Sequence, residues 1–215
     1  MRTEKMRIDN IEKVFRAAMT LFSKQNVTNT TLQMIADEAG VSTRSIVNYF
    51  KTRENLLLAT HQRYVEHAFG ELKKFCETEE YQELNGRQQV IALTRRVLDF
   101  VPVYYNHIYA MKEIAVAVTA VGIASDERFI NECVLSLSSP VNKAMEKGMK
   151  DGSVNLPNGL NDNNIKMFLV VLRGVFEEYA EILKSKNEDA IKTVSNAIET
   201  LYSYLDAILK GQIKN

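Results

Sequence analysis

Apolar residues recur at the helical period in nearly every stretch between chain breakers. Ile8, Ile11, Val14, Phe15, Ala18, Leu21 and Phe22 fall at i, i+3, i+4 and i+7 spacing, the stripe of one amphipathic helix. Asp9 and Glu12 near its start and Lys24 near its end complement the helix dipole. Residues 25–29 break the pattern. Thr30 with Gln33 then predicts a capping box opening a short helix over 31–39, with Leu32, Ile35, Ala36 and Ala39 on one face. Gly40 stops it, Ser42 is a natural N-cap, and a further helix is expected over 43–50 with Ile46 and Phe50 inward. Thr52 caps a long helix bearing Leu56, Leu57, Tyr64, Ala68, Leu72 and Phe75, expected to reach Glu79 with a kink near Glu66–Gly70.

Beyond residue 80 the same period continues. A helix over 87–100 is expected to end before Pro102, and another over 103–124, almost all apolar, to be buried on most sides. Ser125 is expected to cap a helix over 126–150, kinked at Pro140, before a loop at 151–161. Ile165, Phe168, Leu169, Leu172, Val175, Phe176, Tyr179, Ile182 and Leu183 make a broad stripe. Asn187 caps a last helix carrying Ile191, Val194, Ile198, Leu201, Leu205, Ile208 and Leu209, ended by Gly211. No β alternation exceeds four residues, and three Pro with nine Gly are too few for a chain of hairpins. The expected fold class is all-α.

Residues 31–50, TLQMIADEAGVSTRSIVNYF, spell a helix, a tight glycine turn and a second short helix. That spacing is a helix-turn-helix. Ala36 and Ala39 allow close approach, while Val41 and Ile46 plug the angle between the helices. The second helix then presents Thr43, Arg44, Ser45, Asn48 and Tyr49, short polar and basic groups suited to the major groove of DNA.

Over residues 8–57 the chain resembles the DNA-binding domain of the TetR family of transcriptional regulators. The resemblance is carried by Ala17, Leu21 and Phe22, by Thr31, by IADEAGVS at 35–42 and by YFKTRENLL at 49–57. It implies a three-helix DNA-binding domain over 1–51 and a larger helical ligand-binding and dimerisation domain over 52–215. It further implies base-edge contacts from Thr43 and Arg44, and phosphate contacts from Thr31, Gln33, Ser45, Asn48, Tyr49, Lys51 and Arg53. Val47 stands where the family usually carries Tyr, which shifts phosphate contact toward Asn48 and Tyr49. Arg2, Lys5 and Arg7 either add backbone contacts or form a solvated tail.

Charge agrees with this reading. The chain is neutral overall, yet residues 1–65 hold ten Lys/Arg against six Asp/Glu, so the basic end is expected to meet a polyanion. The longest apolar run, 114–124, is too short to cross a membrane, and no signal-peptide core follows Met1; the expectation is a cytoplasmic protein without a membrane partner. Cys76 and Cys133 read as reduced, half-buried thiols. His61, His67 and His107 lack metal-ligand spacing, and no nucleophile or phosphate-loop motif occurs; no metal, cofactor or catalysis is expected.

Two candidate surfaces remain. Tyr104, Tyr105, His107, Tyr109 and Met111 put polar-tipped groups into an apolar helix, which suits either an effector pocket or a core. Phe168, Leu172, Phe176 and Tyr179 with Ile198, Leu201 and Leu205 form stripes wide enough for a homodimer interface, as the resemblance implies, or for an internal helix pair. Glu113 and Arg173 are charges in apolar surroundings that either pair, hold a ligand or face solvent. The sequence reads as a ligand-responsive repressor, a homodimer on a palindromic operator in double-stranded DNA with an unknown small-molecule effector. The alternative is a helical protein-interaction module.

Overall fold

Nine helices are found among the described residues, and no strand: α1 (Arg2–Gln25), α2 (Leu32–Ala39), α3 (Thr43–Phe50), α4 (Arg53–Cys76), α5 (Glu79–Glu83), α6 (Gly86–Ala120), α7 (Asp126–Asp151), α8 (Asp162–Ser185) and α9 (Glu188–Leu209). The computed structural model describes residues 2–123, 126–156, 159 and 162–212, with side chains except at 2–3, 126–136 and 162–164. The expected Ser125 cap, the Arg2 side chain and the surroundings of Cys133 lie outside the described residues.

The chain forms two compact units. The first comprises Met1–His67 with Asn106–Phe129, the second Ala68–Tyr105 with Ile130–Asn215. In the first, Val14, Ala18 and Phe22 of α1, Ile35 and Ala36 of α2 and Ile46 of α3 share a core with Leu56 and Leu57 of α4 and Ala110, Ile114 and Val118 of α6. This packing unit is larger than the 1–51 segment that carries the helix-turn-helix, because Leu56 and Leu57 of α4 and Ala110, Ile114 and Val118 of α6 complete its apolar core. In the second, Leu72, Tyr81, Val90, Leu93, Val141, Ala144, Ile165, Leu169, Leu205 and Leu209 form the core.

Several expectations are corrected. Thr31, not Thr30, caps α2 by accepting the Met34 N–H at 3.2 Å. Thr30 is buried instead, its hydroxyl donating to the Asn26 carbonyl at 2.8 Å. Ile8, expected on the inner stripe of α1, is exposed. Helix α4 ends at Cys76, and Thr78 caps the unforeseen α5.

The largest departure is α6, which runs through Pro102 as one helix of 35 residues. A mid-helix proline costs about 3 kcal/mol. Burial of Leu98 and Val101 before it and of Ile108, Ala110 and Met111 after it offsets that cost. Val103 and Val116, expected inside, are 68% and 64% exposed. The start of α6 is fully satisfied. Gly86 N–H donates to Asp151 Oδ2, Arg87 N–H to Ser153 Oγ, Gln88 N–H to Asn85 Oδ1 and Gln89 N–H to the Asn85 carbonyl. Gly86 lies directly against the backbone of Gly148, too close for any side chain at 86.

Candidate nucleic-acid interface

Helices α2 and α3 are set by their ends. Gly40 is left-handed at φ 65, and its N–H donates to the Ala36 and Asp37 carbonyls, closing α2. Two residues on, Ser42 Oγ accepts the Ser45 N–H at 3.1 Å and opens α3. Ile46 points inward at 1% exposure, and Phe50 meets Phe15 edge-on with ring centroids 5.5 Å apart. The opposite face of α3 therefore points outward, carrying Arg44, Val47 and Asn48, all exposed, with Lys51 just past its end. Thr43, Ser45 and Tyr49 flank it, half-buried, and the Tyr49 hydroxyl accepts from Asn10 Nδ2 at 3.4 Å, leaving its own proton available.

Several of the residues assigned to phosphate already make hydrogen bonds within the protein: the Ser45 hydroxyl lies 2.9 Å from that of Ser42, and Lys51 Nζ donates to the Asn48 carbonyl at 3.1 Å. Gln33, exposed on α2, donates through Nε2 to Asp37 at 2.7 Å and accepts the Thr43 hydroxyl at 2.8 Å. Arg53 donates to the Val27 carbonyl at 2.6 Å and the Thr30 carbonyl at 3.4 Å, so it braces the α1–α2 loop. Thr31 is exposed, its oxygen capping α2. Lys51 closes α3 at φ 70 and ψ −54, with the Thr52 N–H donating to the Phe50 carbonyl at 2.9 Å. That is a γ-turn of the strained hand at a non-glycine residue.

Glu113 holds the loop ahead of the helix-turn-helix, a structural role that the sequence left open. Its carboxylate, on α6, accepts the Val27 N–H at 2.8 Å. The signal was a lone acid in an apolar run; its partner is a backbone group 86 residues away, which no local pattern reveals.

Residues 14–60 match the family described as "Bacterial regulatory proteins, tetR family", the stretch from the middle of α1 into α4. Over that segment the chain carries a DNA-binding region of the TetR-family type. Among curated proteins it is similar to an uncharacterized HTH-type transcriptional regulator, YerO, of Bacillus subtilis (strain 168), 32% identical over 66 residues. That match covers 31% of this chain and spans only 23% of the relative. Among solved structures, a TetR transcription regulator from Haloarcula marismortui ATCC 43049 superposes with a TM-score of 0.74 over 94% of this chain and 98% of that one, at 19% identity. The transcriptional regulator FadR from Bacillus subtilis, solved in complex with stearoyl-CoA, gives 0.63 over 93% and 98%, at 14% identity. At such identities the likeness is one of fold.

The five residues considered for an effector fall in both units, and none of them lines the cavity of the second unit described below. Tyr104 is exposed against Phe100, and Tyr105 is half-buried, both in the second unit. Within the first unit His107 stacks on Tyr64 at 5.9 Å, Tyr109 is half-buried and Met111 joins the core. Burial pushes the His107 pKa down. The second unit holds a cavity of about 650 Å³ elsewhere, floored by Phe69, Leu72, Cys76 and Tyr81 and rimmed by Lys73 and Lys143. Burial pushes the Cys76 thiol up, holding it protonated against the Tyr81 hydroxyl.

The interface candidates also separate. Leu172, Tyr179, Ile198 and Leu205 are buried within the subunit, and Phe168, Phe176 and Leu201 are half-buried. The outward faces of α8 and α9 instead carry Met167, Val170, Val171, Tyr204 and Ile208, each 47–65% exposed. Arg173 pairs with Glu177 at 2.5 Å.

Proposed function

We propose that the chain is a homodimeric, effector-responsive repressor that binds a palindromic operator through α3. One observation carries the reading: α3 is capped at both ends and pinned by Ile46, and it turns Arg44, Val47 and Asn48 outward. A helix of that length fits the major groove, with Arg44 able to fork onto guanine O6 and N7. Phosphate contacts fall to Ser45, Asn48, Tyr49 and Lys51, with Thr31 at the start of α2.

Dimerisation supplies the second recognition helix. The exposed apolar face of Met167, Val170 and Val171 on α8 with Tyr204 and Ile208 on α9 is the surface offered to a second copy. A small effector in the 650 Å³ cavity of the second unit is proposed to alter DNA affinity. Helices α4 and α6, each shared in sequence between the two units, are the elements through which it acts.

Selection of bound duplexes from a random pool tests this. The expected product is a palindrome whose half-sites lie about 10 base pairs, or a multiple, apart. Affinity for it should fall steeply with salt. Binding without enrichment, or with a flat salt dependence, overturns the reading.

A further inference from the structure

We infer that the Thr43 hydroxyl reads the operator only as a hydrogen-bond acceptor, because a polar chain from Asp37 through Gln33 commits its single proton inside the protein. The inference rests on α3 being the recognition helix, as proposed above, and adds what that helix recognises.

The chemistry of the three groups leaves one arrangement. A carboxylate accepts and does not donate; a carboxamide donates from one end and accepts at the other; a hydroxyl has one proton and two lone pairs. Gln33 faces Asp37 at 2.7 Å, one turn further along α2, and Thr43 at 2.8 Å, the first residue of α3. Only the Nε2 end of Gln33 can meet the Asp37 carboxylate. The Oε1 end is thereby turned to Thr43, which must donate. The direction of this relay follows from Asp37 alone, whichever way an amide is drawn.

Thr43 is left with lone pairs for DNA. In the major groove guanine offers N7 and O6, thymine O4 and adenine N7, all acceptors; the donors are the exocyclic amines, N4 of cytosine and N6 of adenine. Thr43 is therefore complementary to an amine and repelled by a keto oxygen. Phosphate oxygens also accept only, so the backbone is not its partner. Its neighbour Arg44 has the opposite character, five donors and no acceptor. Adjacent positions of α3 thus read opposite polarities, an amine beside a guanine. Asp37, which sits on α2, is a positioning residue: it sets base preference through Gln33 and Thr43 without touching a base.

The test uses the full-length protein and its own selected operator. Thr43→Val keeps the side-chain shape without the hydroxyl, and the base pair at which it relaxes preference is the one Thr43 reads. At that pair, cytosine is replaced by 2-pyrimidinone or adenine by purine, each lacking only the amine. The unmodified protein should lose about three- to tenfold in affinity, the worth of one hydrogen bond, and Thr43→Val should lose nothing further. Asp37→Lys presents donors, turns Gln33 around and returns the Thr43 proton. Repeating the selection with it should shift that one pair toward guanine or thymine on the contacted strand, whatever the added charge does to affinity on all sequences. Indifference of the unmodified protein to the missing amine overturns the inference, as does an unchanged base preference in Asp37→Lys. A palindrome obtained with either result leaves the operator reading standing and removes this inference alone. No enrichment at all removes both.

Discussion

The Glu113 carboxylate accepts the buried Val27 N–H at 2.8 Å, joining the C-terminal part of α6 to the loop that introduces the helix-turn-helix. From the other side of the same residue, Arg53 donates to the Val27 carbonyl at 2.6 Å. One loop residue is thus gripped by an acid and a base on two different helices. Local bonds such as Thr30 N–H to the Val27 carbonyl shape the loop, and these two side chains tie it to α4 and α6. Removing the acid leaves a buried donor without a partner. Glu113→Ala should therefore cost about 1–3 kcal/mol in denaturant unfolding, and Glu113→Gln, which keeps an acceptor, clearly less. Equal losses for the two variants would show that the hydrogen bond is not what Glu113 contributes.

Lys51 combines strain with charge. Replacing it by Gly relieves the positive-φ turn and should stabilise the fold by about 1 kcal/mol, while Lys51→Gln should not. Both changes remove one cation and should lower the magnitude of the salt slope of DNA binding by about one unit per half-site. Thermal unfolding and salt titration read the two effects separately. An unchanged slope in both would take Lys51 out of the phosphate-contacting set.

Two glycines should respond in opposite directions. A Cβ on Gly86 would lie 1.9 Å from the Gly148 backbone nitrogen, which cannot yield as a flexible side chain does. Gly86→Ala should cost about 3 kcal/mol. Gly70, inside α4, has open space around its Cβ position, and Gly70→Ala should add about 0.5–1 kcal/mol through helix propensity. Shifts of the denaturation midpoint at constant slope measure both, and a destabilised Gly70→Ala would contradict the open site.

The outward faces of α8 and α9 offer a test of assembly. Val171→Glu and Ile208→Glu place charges on exposed positions, so the subunit should stay folded and helical. If these residues meet a second copy, each buried unpaired charge costs about 3–5 kcal/mol, and the variants should sediment as monomers with operator affinity largely lost. Leu172→Glu, inside the subunit core, should instead unfold it. Folded Val171→Glu and Ile208→Glu proteins that remain dimeric at low micromolar concentration would move the interface elsewhere.

Local rules determined much of this protein from its sequence alone. The caps at Ser42 and Asn187, the left-handed Gly40 and the inward Ile46 are set by residues within one or two turns. So were the helix-turn-helix and its outward Arg44 and Asn48, because a 3.6-residue period assigns faces without reference to the rest of the chain. Tertiary structure alone decided what depends on distant partners. Thr30 gave up the cap to Thr31 because its hydroxyl found the Asn26 carbonyl and its side chain a buried site. Pro102 failed to end α6 because apolar burial on both sides of it outweighs one missing hydrogen bond. Arg53 and Gln33 look like free polar groups in sequence, yet one braces Val27 and the other joins Asp37 to Thr43. On α8 and α9 the period marks apolar residues on every side. Packing decided that Leu172, Tyr179, Ile198 and Leu205 go inside, and that Val170, Val171, Tyr204 and Ile208 stay at the surface. The physical reason is range: propensity and capping act within a turn, whereas burial and hydrogen-bond partnership are settled only when segments far apart in sequence meet.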